Sequence, residues 1–181
     1  LLGITGSGKT EVYLRRAALV LEYSPQAQVL LLVPEINLTP RLEARVRQRF
    51  AHLGDTAIVA MHSAMTPAQR LNSWLAAHLG TARIVLGTRL AVLASMPHLK
   101  LIVVDEEHDP SYKQQEGARY SARDLAVYRG QLEGAQVLLG SATPSLESWH
   151  HSRAAVAGQP VPRYQRLSMP SRVGDGALPL L

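Results

Sequence analysis

Cysteine is missing from all 181 residues, which excludes disulfides and cysteine-based zinc sites within this chain. No apolar run approaches the roughly 18 residues needed to span a bilayer, and no signal peptide opens the chain. A cytoplasmic location is the expectation. Lysine is scarce, at Lys9, Lys100 and Lys113 only, so arginine supplies nearly all of the positive charge behind a formal net charge of +5. The guanidinium fork matches phosphate geometry, so this surplus suits nucleic-acid contact, and equally a merely basic surface. Hydrophobic residues make up 46%, an ordinary globular share, and the length suffices for one domain with a sizeable core.

Short apolar runs alternate with stretches of helical period. Consecutive Val, Ile and Leu at 29–33, 57–61, 83–86, 101–104 and 136–139, with a stub at Leu1 and Leu2, predict strands buried on both faces, as in a parallel sheet flanked by helices. Thr-Pro pairs at 39–40, 66–67 and 143–144 predict helix starts, with threonine as N-cap and proline at the first helical position. Thr66 and Gln69 have capping-box spacing. The expected core stripes are Leu42, Val46 and Phe50; Leu71, Trp74, Leu75 and Leu79; and, after a cap at Ser121, Leu125, Tyr128 and Leu132. This alternation predicts an α/β fold with a doubly wound parallel sheet. From about Ser152, prolines and glycines displace any period. Residues 1–156 are read as one domain that lacks most of its first strand, excised from a larger protein, and 157–181 as a linker towards something absent.

Gly3-Ile4-Thr5-Gly6-Ser7-Gly8-Lys9-Thr10 is a complete G-x-x-x-x-G-K-[ST] match between an apolar stub and a helix at 11–21, the context that marks a P-loop. Glycines let the backbone wrap phosphate with its N–H groups pointing inward at a helix N-terminus. Lys9 is expected to reach the β and γ phosphates, and Thr10 to offer its hydroxyl to magnesium. Val103-Val104-Asp105-Glu106-Glu107-His108 ends a buried strand in carboxylates. Asp105 is the candidate magnesium ligand and Glu106 the candidate base for an attacking water, their roles separated by strand alternation. Gly140-Ser141-Ala142-Thr143 ends another strand. Ser141 and Thr143 suit a relay of nucleotide state, and Thr143 suits equally an N-cap for the helix after Pro144.

P-loop, DEEH and SAT in this order resemble motifs I, II and III of superfamily 2 helicases, with a RecA-like P-loop NTPase fold. Finer stretches resemble the primosomal protein N′ family of replication-restart helicases: 6–13, 33–36, 38–40, His62-Ser63, 87–89, 105–109, 111–117, Arg119-Tyr120, 122–124 and 140–147. The resemblance covers nearly the whole chain to about Glu147. It implies one of two RecA-like lobes of an ATP- and magnesium-dependent motor moving 3′→5′ on DNA, in replication restart and primosome assembly. It further implies a second lobe, a cysteine-rich zinc module and DNA-binding modules outside this chain, with primosome and single-strand-binding proteins as partners and no membrane role. By the same resemblance the segment from Ser111 to Tyr120 couples DNA contact to hydrolysis, with Tyr112 and Tyr120 as stacking partners and Lys113 and Arg119 as phosphate contacts. The alternative is a loop whose tyrosines pack back on the sheet. Pro34, Glu35, Thr39, Gly87, Thr88 and Arg89 match strand-end motifs that face DNA, Arg89 being also an ordinary helix-start arginine. Arg41 and Ala118 depart from the family's usual glutamine and, in some relatives, tryptophan.

Two other functions compete. A small-molecule P-loop kinase needs an acceptor pocket and an arginine-rich lid, which the SAT strand and the DEEH–SYKQ segment argue against. A nucleotide-gated DNA-binding module, in which hydrolysis is incidental, fits the same motifs. No base-reading element is evident, so any DNA contact is expected to be sequence-independent and salt-sensitive.

Overall fold

The computed structural model describes residues 1–153 and 161–174. β1 (Leu2–Gly3) enters the glycine loop and α1 (Lys9–Tyr23); β2 (Gln28–Leu32) and a 3-10 turn (Glu35–Asn37) lead to α2 (Pro40–Arg49). Next come β3 (Ile58–Met61), α3 (Pro67–His78), β4 (Ile84–Gly87), a second 3-10 turn (Arg89–Leu93) and β5 (Leu99–Val104). A hairpin of β6 (Lys113–Gln114) and β7 (Tyr120–Ser121) precedes α4 (Ala122–Glu133), β8 (Gln136–Leu139), α5 (Leu146–His151) and β9 (Ser168–Met169).

Five strands form one parallel sheet in the order β3-β4-β2-β5-β8. Side-chain alternation splits the core in two. Leu30, Leu32, Val85, Ile102 and Val104 join Ala77 of α3 and Ala122 and Ala126 of α4 on one face. Val29, Leu31, Ile84, Leu86, Leu101 and Val103 join Leu14 and Ala17 of α1 with Val46 and Phe50 on the other. Helices thus cover both faces, as a doubly wound sheet requires, and each fully buried Leu, Ile or Val contributes about 1.5–3 kcal/mol.

The helix starts follow local chemistry. Thr39 Oγ1 accepts from the Leu42 N–H at 3.2 Å, Thr66 and Gln69 close a reciprocal capping box, and Ser121 caps α4. At the third Thr-Pro pair the cap is Ser145, whose hydroxyl accepts from the Ser148 N–H, and not Thr143. Thr143 is turned instead towards His108, with Oγ1 3.3 Å from Nε2.

One of the expected core stripes faces outward and another does so in part, since Leu125 of α4 packs against the core. Leu71 and Leu79 are 56% and 70% exposed, with Trp74 and Leu75 also at the surface, and Tyr128 and Leu132 are exposed on α4. The faces pressed on the sheet carry Ser73 and Ala77 in α3, and Ala122, Ala126 and Gly130 in α4. Small residues let these helix axes lie close to the strands, which displaces the bulky side chains to the flanks.

Residues 161–174 also differ from their sequence pattern. β9 pairs in parallel with β1, and the Val173 N–H donates to Gly6 O at 3.1 Å, so this segment lies against the glycine loop. A two-residue strand carries no period for a pattern to detect. The boundary read at 156/157 lies outside the described residues. Among those described, no helix is long and apolar enough to cross a membrane.

Candidate nucleotide site and its coupling network

The glycine loop, the DEEH turn and the GSAT turn follow β1, β5 and β8, and the turns at Pro34 and Thr88 follow β2 and β4. All sit at the carboxyl edge of parallel strands, where open α/β sheets bind ligands. In the loop, Gly6 and Gly8 adopt φ of 82° and 87°, left-handed values open to glycine and costly for most other residues. They bend the backbone into a concave loop, with Ile4, Thr5 and Gly6 exposed and Gly3, Ser7 and Lys9 buried. Ser7 Oγ is buried with no hydrogen-bond partner, an orphaned donor at the place where a phosphate would supply an acceptor. Thr10 lies in the first turn of α1, beside Lys9.

Lys9 Nζ donates to Gly3 O at 2.9 Å and lies 3.3 Å from Glu106 Oε1. Glu106 has φ of 45°, the one non-glycine residue with positive φ among those described. Such a backbone is unfavourable for a residue with a β-carbon and is found where surrounding structure enforces it, often at functional sites. Here it corrects the expected geometry. β5 ends at Val104, so strand alternation does not separate the two acids; the left-handed turn returns Glu106 to Lys9.

Asp105 is held at three points. Its N–H donates to Leu32 O at 2.9 Å, its carbonyl accepts from the Tyr112 hydroxyl at 2.7 Å, and its Oδ1 accepts from the Tyr13 hydroxyl at 2.9 Å. Burial, then the nearby Asp105 charge, raises the pKa of both phenols well beyond the ordinary value, so both remain donors. Tyr112 is 1% exposed, which removes it from base stacking and makes it a core link between the hairpin and the acid.

Burial pushes the Asp105 carboxyl above its usual range, and the Tyr13 hydrogen bond opposes that shift. A raised folded-state pKa means that the folded chain holds the proton more tightly than the unfolded one. Stability therefore falls as pH climbs from the ordinary carboxylate value through the raised one, and the deficit persists at neutral pH. Asp105→Asn, which keeps an acceptor for Tyr13, is expected to raise the melting temperature at pH 7. Each kcal/mol recovered corresponds to about 2–4 °C in a chain of this size. The gain narrows as pH is lowered towards the carboxylate range, and thermal melts across pH check both trends.

Glu107, Ser141 and His108 join the DEEH turn to the GSAT turn. Ser141 Oγ and His108 Nδ1 lie 2.7 Å apart, and the Thr143 N–H donates to Ser141 Oγ at 2.9 Å. Buried Glu107 accepts from Ser145 N at 2.8 Å, and from Ser145 Oγ, Ser148 Oγ and Arg123 Nη1 at 3.2, 3.1 and 3.3 Å. Sequence reasoning assigned no role to Glu107, Arg123 or Tyr13. For Tyr13 a signal existed, since it stands one helical turn after Lys9 and shares its face. Glu107 carried none, being one acid among three.

Of the residues expected at a DNA face, Glu35 and Thr39 are exposed, whereas Pro34, Gly87 and Thr88 are buried. Arg89 Nη1 donates to Ser111 O at 2.9 Å and Lys113 O at 3.1 Å, tying the turn after β4 to the hairpin. Lys113 and Arg119 are exposed on that hairpin, and Tyr120 is half-buried against the core. No group of three or more His, Asp or Glu with metal-site geometry occurs among the described residues. Magnesium, which keeps several waters, does not need one.

The sequence matches the DEAD/DEAH box helicase family over residues 1–151. It is similar to the replication restart protein PriA of Haemophilus influenzae, 44% identical across 96% of this chain and 22% of that protein. PriA of Synechocystis is 44% identical across 98% of this chain and 20% of that protein, and PriA of Bacillus subtilis 39% identical over the same shares. The chain thus spans about a fifth of the length of these curated relatives. In fold it is similar to the DNA-bound DUF1998 helicase MrfA, with a TM-score of 0.59 and 18% identity, covering 94% of this chain and 24% of that one. The Hef helicase domain of Pyrococcus furiosus gives a TM-score of 0.52 and 24% identity, covering 80% of this chain and 30% of that one. A RecA-like sheet with a glycine loop, a DEEH turn and a GSAT turn on one edge, matched from residue 1 to residue 151, places the chain in the DEAD/DEAH box helicase family.

Proposed function

We propose that this chain is the ATP-binding and hydrolysing motor lobe of a 3′→5′ DNA helicase that acts in replication restart and primosome assembly. The observation that carries the reading is the meeting of Lys9 and Glu106 at 3.3 Å beside an Asp105 held by the helix that follows the glycine loop. The backbone of residues 3–8 wraps the phosphates of ATP, and Lys9 exchanges Gly3 O and Glu106 for the β and γ phosphates. Thr10 and Asp105 are the side chains that would hold magnesium. The ion, when bound, neutralises charge on the triphosphate oxygens. Glu106, released from Lys9, orients the attacking water and takes its proton.

Coupling runs through the hydrogen bonds that surround Ser141 and Asp105. His108, Ser141 and Thr143 tie the DEEH turn to the GSAT turn. Tyr112 ties Asp105 to the hairpin that presents Lys113, Arg119 and Tyr120. DNA, single-stranded or forked and read without regard to sequence, lies across Glu35, Thr39, Arg89 and the hairpin, while buried Pro34, Gly87 and Thr88 shape the turns beneath it. The lobe is built on residues 1–156, with the stretch 161–174 laid against β1 and the glycine loop, and it works with a second RecA-like lobe of a longer chain. That second lobe supplies an arginine to the triphosphate, an addition worth about 10³–10⁵ in rate. Primosome and single-strand-binding proteins, a zinc module outside this chain and a cytoplasmic location complete the reading. It is supported by the likeness to proteins named for replication restart.

Alone, the chain is expected to bind ATP weakly, turn it over slowly and unwind nothing. Within the longer polypeptide, turnover is expected to rise sharply on adding single-stranded or forked DNA and to fall with salt. Robust unwinding by the chain alone, or turnover indifferent to DNA in the longer protein, would overturn the proposal.

A further inference from the structure

The α1 helix carries a second polar residue into the nucleotide site. Lys9 opens the helix, and Tyr13, one turn later, sends its hydroxyl to Asp105 Oδ1 at 2.9 Å across 92 positions of sequence. Tyr13 is 4% exposed, its ring lying in the core between α1 and the sheet. The backbone opposite is built to admit it. A methyl group added at Gly140 would overlap the Tyr13 hydroxyl and ring, so glycine at the end of β8 leaves the space the phenol occupies. Gly140 is itself fixed, its N–H donating to Val104 O at 2.9 Å and its carbonyl accepting from the Glu107 N–H at 3.0 Å.

We propose that Tyr13 is a positioning residue for Asp105: its hydroxyl engages Oδ1, so that the carboxylate meets a bound magnesium ion in one orientation, and Gly140 is the opening that admits it. The proposal rests on the reading of Asp105 as a magnesium ligand. Two anchors act on the acid from opposite ends. Tyr112 fixes the backbone carbonyl and Tyr13 the carboxylate, so main chain and side chain each have an anchor. Hydrogen bonds to a metal-binding carboxylate set its direction, and their removal typically weakens metal affinity or activity by about 10–100-fold. The P-loop helix thereby reports to the acidic turn through its second turn as well as through Lys9.

The test is a magnesium titration of nucleotide binding, read by a fluorescent non-hydrolysable ATP analogue, on the native chain, Tyr13→Phe and Gly140→Ala. Tyr13→Phe keeps the ring in the core and removes only the hydroxyl, so the chain is expected to stay folded with a melting temperature lower by about 3–12 °C. The magnesium concentration for half-saturation is expected to rise about 10–100-fold, with analogue binding at saturating magnesium recovered. Gly140→Ala displaces the same hydroxyl, so its effect on half-saturation is not expected to add to that of Tyr13→Phe in the double variant. An unchanged magnesium requirement in Tyr13→Phe would overturn the positioning role while leaving the nucleotide reading intact. A native chain whose analogue binding ignores magnesium would overturn both. Should Gly140→Ala fail to fold, Tyr13→Phe alone decides.

Discussion

Lys9→Ala is expected to lose nucleotide affinity, and Glu106→Gln to keep the nucleotide and lose its hydrolysis. Lys9 is the one lysine in the glycine loop, and it is held between Gly3 O and Glu106. A charge-assisted hydrogen bond of this kind is worth about 1.5–3 kcal/mol, so its loss weakens triphosphate binding by roughly 10–150-fold. Glu106→Gln leaves the loop and Lys9 in place and removes a proton acceptor, a change worth about 10²–10⁴ in turnover where the group acts as general base. Binding and single-turnover measurements on the two variants separate the effects. A nucleotide-gated module without purposeful hydrolysis would show Lys9 sensitivity and Glu106 indifference. Glutamine also suits the left-handed turn no better than glutamate, so backbone strain is common to both and does not confuse the comparison.

The second large effect is on stability. Glu107→Ala removes an acceptor that is 4% exposed and receives four hydrogen bonds, from Ser145, Ser148 and Arg123. Breaking a buried ion pair by deleting one partner usually costs about 3–5 kcal/mol. Arg123 keeps a second partner in Asp124, at 2.7 Å, so the loss is expected near 3 kcal/mol, a fall of roughly 6–12 °C in melting temperature. Glu107→Gln retains an acceptor for the Ser145 N–H and should lose about half as much. A fall below about 2 °C for the alanine variant would show that water readily replaces the network. The network also joins the DEEH turn to α4 and α5, so proteolysis near α5 should become faster in the alanine variant.

Much of this architecture is local chemistry and could be read residue by residue. Runs such as 29–33 and 101–104 are apolar on successive positions, a pattern suited to a strand covered on both faces. Thr39 and Thr66 announce their helices because capping involves neighbours three residues away. The glycine loop is legible because left-handed φ at Gly6 and Gly8 is a property of those residues themselves. Elsewhere the local reading misled. Leu71, Leu75 and Leu79 have helical spacing, yet the sheet accepts α3 through Ser73 and Ala77, because the separation of helix and sheet selects small side chains. A periodic stripe shows which residues share a face and not which face is covered.

The candidate site divides in the same way. Its residue types were identifiable from sequence: a glycine loop, a carboxylate pair after a buried strand, and small hydroxyls after another. Tertiary structure decided which of them meet. The left-handed backbone at Glu106 turns its carboxylate to Lys9, and the packing of α1 on β2 and β5 brings Tyr13 to Asp105 in the space left by Gly140. Tyr112 became a core residue instead of an exposed stacking partner. The left-handed backbone at Gly6 and Gly8, the caps at Thr39 and Thr66 and the burial of the strands arise from residues a few positions apart, so sequence alone determined them. Contacts such as Tyr13 with Asp105, 92 positions apart, depend on strand order and helix placement, which exist only once the sheet has assembled.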